Sequence, residues 1–166
     1  MLSDETLILE FQHGSRDAFE ELFARYREPI HGFFRRRLPD RHRADDLTQE
    51  TFLAVIRATS RYEPRSLVRT YLYAIALKLV AAERRSLARQ APGAELATRD
   101  TNDTALWVRE ALDRLDPSER EILMLREYEQ LSYAEIAGLL RLPLNTVRTR
   151  LFRARLALKE YLHATR

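Results

Sequence analysis

Two short clusters of opposite charge hold the side chains of this chain best equipped to bind a partner. The stretch "DDLTQETF", Asp45 to Phe52, packs three acids and a glutamine into eight residues, although the whole chain carries a formal net charge of +3 and a sequence pI near 9.4. Near the other end, "NTVRTRLFRAR", Asn145 to Arg155, sets four arginines among asparagine, threonine and phenylalanine. Arginine pairs bidentately with guanine and asparagine with adenine, while an exposed aromatic ring or a threonine methyl can meet the thymine methyl, so the second cluster suits base reading. Acids on a helix repel DNA and pair instead with basic side chains of another protein. Bond-making chemistry is not provided for. The serines have no histidine partner in a recognisable context and there is no glycine-rich phosphate loop. Cysteine is absent, and His13, His31, His42 and His163 lie far apart without carboxylates at ligand spacing. No enzyme activity, metal, cofactor or small-molecule substrate is expected.

The elements that must carry these clusters follow from composition and periodicity. With 166 residues, 45% apolar and 32% charged, the chain suffices for one ordinary or two small globular domains. No run of roughly 18 apolar residues offers a membrane span, and the acidic "MLSDETLILEFQ" does not resemble a signal peptide, so a cytoplasmic protein without membrane insertion is expected. Charge is polarised: residues 91–140 hold five basic and eleven acidic side chains, whereas 141–166 hold seven basic and one acidic. A phosphate-binding surface depends on such local potential rather than on the total.

Apolar residues recur at spacings of three and four with few glycines and prolines to interrupt them, which predicts an all-α fold. A first helix is expected over Asp4–His13, capped by Ser3 and closed by Gly14, and a second from Arg16 with Phe19, Leu22, Phe23, Tyr26, Ile30, Phe33, Phe34 and Leu38 as its apolar stripe and a kink at Pro29. The third covers Ala44–Ser60 with Leu47, Val55 and Ile56 buried; after the loop "SRYEPRS", a fourth runs over Leu67–Ser86. "LARQAPGAELATRDTNDT" lacks apolar periodicity and reads as a flexible linker between two small helical domains. Beyond it come a helix over Thr104–Leu115, one to about Tyr128 that starts at "DPSE" with Asp116 as cap and Glu119 completing a capping box, and a short one from "SYAE" ending near Leu140. A last helix follows with Pro143 in its first turn, giving a helix-turn-helix in the C-terminal domain. At 100° per residue, Val147, Leu151, Ala154, Leu158 and Tyr161 share the buried side of that helix; Asn145, Arg148, Thr149, Phe152 and Arg153 share the other, flanked by Arg150 and Arg155.

"LDPSEREILMLREYEQLSYAEIAGLLRLPLNTVRTRLFRAR" resembles the minus-thirty-five-reading domain of extracytoplasmic-function sigma factors, and "DDLTQETFLAVIRA" with "RTYLYAIALKLVAAERR" resembles the same family's first domain. The resemblance implies a bacterial transcription initiation factor with core RNA polymerase and promoter DNA as partners, and allows for an anti-sigma factor. It implies a region 2 domain over 1–88, a linker over 89–103 whose acids Glu95, Asp100 and Asp103 outnumber Arg99, and a region 4 domain over 104–166. Matched position by position, Asp46, Gln49, Glu50, Phe52 and Ile56 would contact the polymerase, with Phe52 as the apolar anchor. Tyr62, Arg65, Ser66, Arg69, Thr70, Tyr71 and Lys78 would read and open the minus-ten element, and Asn145, Arg148, Thr149, Arg150, Phe152 and Arg153 would read the minus-thirty-five element. An unpaired base needs an apolar or aromatic pocket and positive charge for its phosphates, which is the physical sense of the loop's residues. The chain departs from the family pattern at Tyr71, Ala74, Lys78, Arg141 and Asn145, where tryptophan, arginine, asparagine, glycine and glycine respectively are common. The residues taken alone also fit a helix-turn-helix regulator that binds an operator as a dimer, or an adaptor that binds polymerase without touching DNA.

Overall fold

The computed structural model describes residues 1–90 and 103–165, which are helix, turn and loop with no strand among them. The linker acids Glu95 and Asp100 with Arg99, and the side chain of Asp103, lie outside the described residues. Contacts divide the chain into two compact units, Met1–Thr98 and Arg99–Arg166.

Four helices build the first unit: α1 (Asp4–Gln12), α2 (Arg16–Arg37), α3 (Arg41–Ala58) and α4 (Val68–Gln90), with a single 3-10 turn over Thr59–Arg61. Serine caps start the first two, the Ser3 hydroxyl accepting from the Thr6 amide at 3.1 Å and the Ser15 hydroxyl from the Ala18 amide at 3.2 Å. Between them Gly14 takes φ 102°, a left-handed turn that a side chain would disfavour. Pro29 sits inside α2, which continues past it to Arg37. Leu22, Ile30, Phe33 and Phe34 of α2 are completely buried, as are Ile8, Val55 and Leu72 from the other three helices, which pack on one another. Arg37 is buried as well, because its guanidinium lies 3.8 Å from the centre of the Phe33 ring and donates to the Phe33 carbonyl.

Three features differ from expectation. Helix α3 begins at Arg41 rather than Ala44, since the Asp40 carboxylate accepts from the His42 amide at 2.8 Å and supplies the cap. Ile56 is exposed rather than buried: the buried stripe is Ala44, Leu47, Thr48, Thr51, Phe52 and Val55, and one residue further turns Ile56 by 100° towards solvent. Helix α4 runs over Val68–Gln90, one turn past the expected end at Ser86.

The second unit contains α5 (Asp103–Asp113), α6 (Pro117–Glu127), α7 (Tyr133–Leu140) and α8 (Leu144–Ala164). Ser132 and Glu135 form a full capping box, the hydroxyl accepting from the Glu135 amide and the carboxylate accepting from the Ser132 amide. At α6 only half of the expected box is made: Asp116 accepts from the Ser118 and Glu119 amides, and among the described residues Glu119 does not reach back. Pro143 is the N-cap of α8 rather than a member of its first turn. Ile122, Leu125, Leu131, Ile136, Val147 and Leu151 form the core, so α6, α7 and α8 pack on one another as a helix-turn-helix with one supporting helix.

Candidate functional site

On α3 the acids are held differently, according to the neighbours each finds. Asp45 accepts from His31 Nε2 of α2 at 2.5 Å. Arg43 grips Glu83 of α4 through two bonds, Nε to Oε1 at 2.9 Å and Nη2 to Oε2 at 2.8 Å, and reaches Asp46 at only 3.5 Å. Hydrogen bonding to Glu83 raises the Arg43 pKa further above its ordinary value. Glu50 makes no ion pair among the described residues. Asp46, Gln49, Glu50 and Ile56 are all exposed on one face of α3 at helical spacing.

Phe52 does not join them. It is 3% exposed, with its ring centre 4.8 Å from that of Phe23 and 6.5 Å from that of Phe19, both edge-on. The reading of Phe52 as an apolar anchor for a partner is therefore corrected: it belongs to the α2–α3 core. Its place on the outward face is taken by Leu53, 45% exposed, beside Ile56 at 43%. Sequence reasoning missed Leu53, though its position one residue past the buried stripe was the available signal.

The loop between the 3-10 turn and α4 exposes Glu63, Pro64, Arg65, Ser66 and Leu67. Arg65 lies almost wholly in solvent and pairs with its neighbour Glu63 at 2.6 Å. Tyr62, expected on this surface, is 8% exposed; its ring packs 5.5 Å from that of Tyr71, so it underpins the loop rather than presenting a stacking face. Burial pushes the phenols of both tyrosines above their ordinary pKa, with the Glu5 charge adding to the effect at Tyr62. On α4, Tyr71 and Ala74 are half-buried and Lys78 exposed along the side opposite Val68, Leu72, Ala76 and Val80, with Thr70 beside them. Arg69 is half-buried on a different side of α4, and its charge acts weakly on the Tyr26 hydroxyl of α2.

In the second unit α8 presents Asn145, Arg148, Thr149, Phe152 and Arg153 to solvent, with Phe152 67% exposed. The Thr149 hydroxyl donates to the Asn145 carbonyl at 2.9 Å. Arg150 is half-buried and leans towards Asp116 at the start of α6, while Arg155 donates to Glu127 at 2.8 Å. Leu156, also exposed, continues the outward apolar line from Phe152 and was not anticipated. The turn that aims α8 is closed by Arg141 at φ 55°, ψ 48°, with the Leu142 amide returning to the Ala137 carbonyl at 2.9 Å. A non-glycine residue in this left-handed conformation is strained by on the order of 1 kcal/mol.

Among the described residues no cluster of three or more potential ligands could hold a metal ion, and no helix is long and apolar enough to cross a membrane.

Residues 22–90 match the family described as Sigma-70 region 2, and residues 105–158 match Sigma-70, region 4. The chain is 31% identical to the RNA polymerase sigma-H factor of Pseudomonas aeruginosa, the match covering 96% of this chain and 93% of that one. It is likewise 31% identical to the ECF RNA polymerase sigma-E factor of Haemophilus influenzae, over 93% of this chain and 92% of that one. Among solved structures, that of CnrH in complex with the cytosolic domain of CnrY superimposes with a TM-score of 0.76 at 27% identity, covering 97% of both chains. Sigma factors are transcription initiation factors rather than enzymes. With the two region matches in order and full-length likeness to the relatives, the chain belongs to the ECF family of RNA polymerase sigma factors and directs the polymerase to promoters.

Proposed function

We propose that the chain does this through three surfaces, and that the division of exposed charge carries the reading: α3 turns acids and two bare aliphatic side chains outward, while α8 turns arginines and a bare phenylalanine outward. Asp46, Gln49 and Glu50 dock on core polymerase as the polar rim, with Leu53 and Ile56 as the apolar anchors. Arg65 and Ser66 on the loop, with Thr70, Tyr71 and Lys78 on the outward side of α4, read the minus-ten element and support strand separation; Tyr62 shapes the pocket from beneath. Asn145, Arg148, Thr149, Phe152 and Arg153 read the minus-thirty-five element in the major groove, and Arg150 contacts its flank. In this reading residues 1–88 and 104–166 act as the two promoter-binding domains and 89–103 joins them. The polymerase supplies the chemistry, so the chain itself is not an enzyme, and it works in the cytoplasm. An anti-sigma protein is a further proposed partner, in analogy with the similarly folded sigma factor RpoE of Bartonella quintana, solved in complex with the anti-sigma factor NepR.

In vitro transcription with purified core polymerase and genomic fragments tests the proposal. Specific transcripts and a promoter footprint are expected only when chain and core are combined, and Asp46→Asn with Glu50→Gln should weaken polymerase association. A strong duplex footprint by the chain alone, indifferent to core, would instead support an operator-binding regulator.

A further inference from the structure

Helix α1 lies outside the residues matched by the region 2 family, which begin at 22, yet it holds both ends of the loop that follows the 3-10 turn. The Gln12 amide nitrogen donates to two carbonyls at once, Thr59 O of the 3-10 turn at 2.9 Å and Tyr62 O at the start of the loop at 3.1 Å. Seven residues earlier, and therefore on the same side of α1, the Glu5 carboxylate accepts from the Val68 amide at 3.0 Å. That amide is the first of α4, whose opening turn has no acid of its own, so Glu5 stands in as a remote cap and complements the positive end of the helix. The backbone between these two anchors is otherwise lightly tied. Residues 63–67 are exposed, and the Arg65 amide bonds only to the Glu63 carbonyl within the same turn. Helix α1 is itself fastened firmly, with Leu7 and Ile8 buried and Asp4 accepting from Arg25 and from the Tyr26 hydroxyl of α2.

We propose that Glu5 and Gln12 are positioning residues for promoter opening: from a helix that does not touch DNA, they fix the two ends of the 62–67 loop in the shape that takes the unpaired base. The inference rests on the reading of that loop as part of the minus-ten surface. A side chain that donates to two carbonyls three residues apart sets their separation, and a carboxylate on the first amide of α4 sets where the helix begins. Loss of either leaves the loop longer and looser, which is a cost in ordering when the base is captured.

Holoenzymes reconstituted from core polymerase and full-length variants test it. Gln12→Leu and Gln12→Glu both remove the donor at similar size, Glu5→Ala removes the acceptor, and Glu5→Gln keeps it. Opening is read as permanganate reactivity of minus-ten thymines over time, alongside core affinity and binding to a minus-thirty-five duplex. Opening should slow roughly tenfold in both Gln12 variants, for two lost bonds, and roughly threefold to fivefold in Glu5→Ala, with Glu5→Gln close to the parent. Core affinity and upstream binding should stay within about twofold of the parent. Hydrogen exchange in 59–70 should rise in the Gln12 variants without change in α2 and α3, which separates local loosening from a folding defect. Opening unchanged, or reduced only in step with core affinity, overturns the proposal. A companion Arg65→Ala/Ser66→Ala holoenzyme keeps the two readings apart. If it opens promoters normally, the loop is not part of the minus-ten surface and the inference falls with that reading; if it is impaired while the Gln12 and Glu5→Ala variants are not, only the inference falls.

Discussion

Replacing Phe52 by alanine separates the core of the first unit from its docking face. Phe52 is 3% exposed and meets Phe23 and Phe19 edge-on, so truncation empties a space bounded by two helices and should cost about 3–5 kcal/mol. Against a typical domain stability of roughly 5–15 kcal/mol, that is a large fraction, equivalent to a fall in midpoint temperature of more than about 10 °C. Leu53→Ala/Ile56→Ala is the matched control. Those side chains already keep over two-fifths of their surface in water, so each should cost about 1 kcal/mol or less in stability. Their loss should instead weaken polymerase binding roughly 5-fold to 30-fold, as expected of apolar anchors at an interface centre. Unfolding has to be followed by far-UV circular dichroism, because the single tryptophan, Trp107, belongs to the second unit and its fluorescence does not report on Phe52. Should Phe52→Ala unfold at the parent midpoint while losing as much polymerase affinity as the double variant, the assignment of Phe52 to the core would be refuted.

Further outcomes are expected in the second unit. Arg148→Ala and Arg153→Ala should each cost about 1–3 kcal/mol in binding of the holoenzyme to a minus-thirty-five duplex and relax base preference at one position, measured by competition with mutated duplexes. Equal losses on all sequences would mean phosphate contacts instead. Arg141→Gly should raise the thermal stability of the unit by up to about 1 kcal/mol, since glycine takes φ 55° without strain; a destabilised variant would show that the guanidinium holds the turn. The Asp116 carboxyl is held below its ordinary pKa of 3.8, chiefly by the Ser118 hydroxyl and then by the Glu119 and Ser118 amides. A depressed carboxylate contributes stability above its unfolded pKa and loses it as pH falls through the folded value. Asp116→Asn should therefore remove part of the loss of stability that sets in as pH falls below the ordinary carboxyl value, seen in urea titrations at successive pH values.

How much of this was legible in the sequence depends on the range of the interaction. Caps are local: Ser3, Ser132 and Asp116 sit immediately before their helices, and each does what its side chain and position require. The same rule applies at Asp40, whose cap starts α3 at Arg41, three residues before the expected Ala44, although the arginines that follow it run against the helix dipole. Phe52 comes to the docking face only by matching the family's motif position by position, whereas its spacing of four from Thr48 and three from Val55 puts it in the buried stripe. Tyr62 and Gln12 were beyond reach for a different reason. Their environments come from contacts between α1 and a loop about fifty residues later, and no local pattern encodes them.

The anchoring of α3 explains how one helix can be both core and docking surface. Arg41 and Arg43 in its first turn oppose the positive end of the dipole, an arrangement that should weaken the helix where it starts. The neighbours offset it. Asp40 supplies the cap, Glu83 binds Arg43 through two parallel bonds from α4, and His31 holds Asp45 from α2. These ties engage Arg43 and Asp45 and fix the rotation of α3 about its own axis, while Leu47, Phe52 and Val55 fix its depth. What remains outward is Asp46, Gln49, Glu50, Leu53 and Ile56, a surface presented at a set angle without needing to order itself when a partner arrives. Breaking the Arg43–Glu83 pair with Glu83→Gln should thus reduce polymerase affinity although Glu83 is not on the docking face. If affinity were unchanged, the outward face would owe its orientation to the apolar contacts alone.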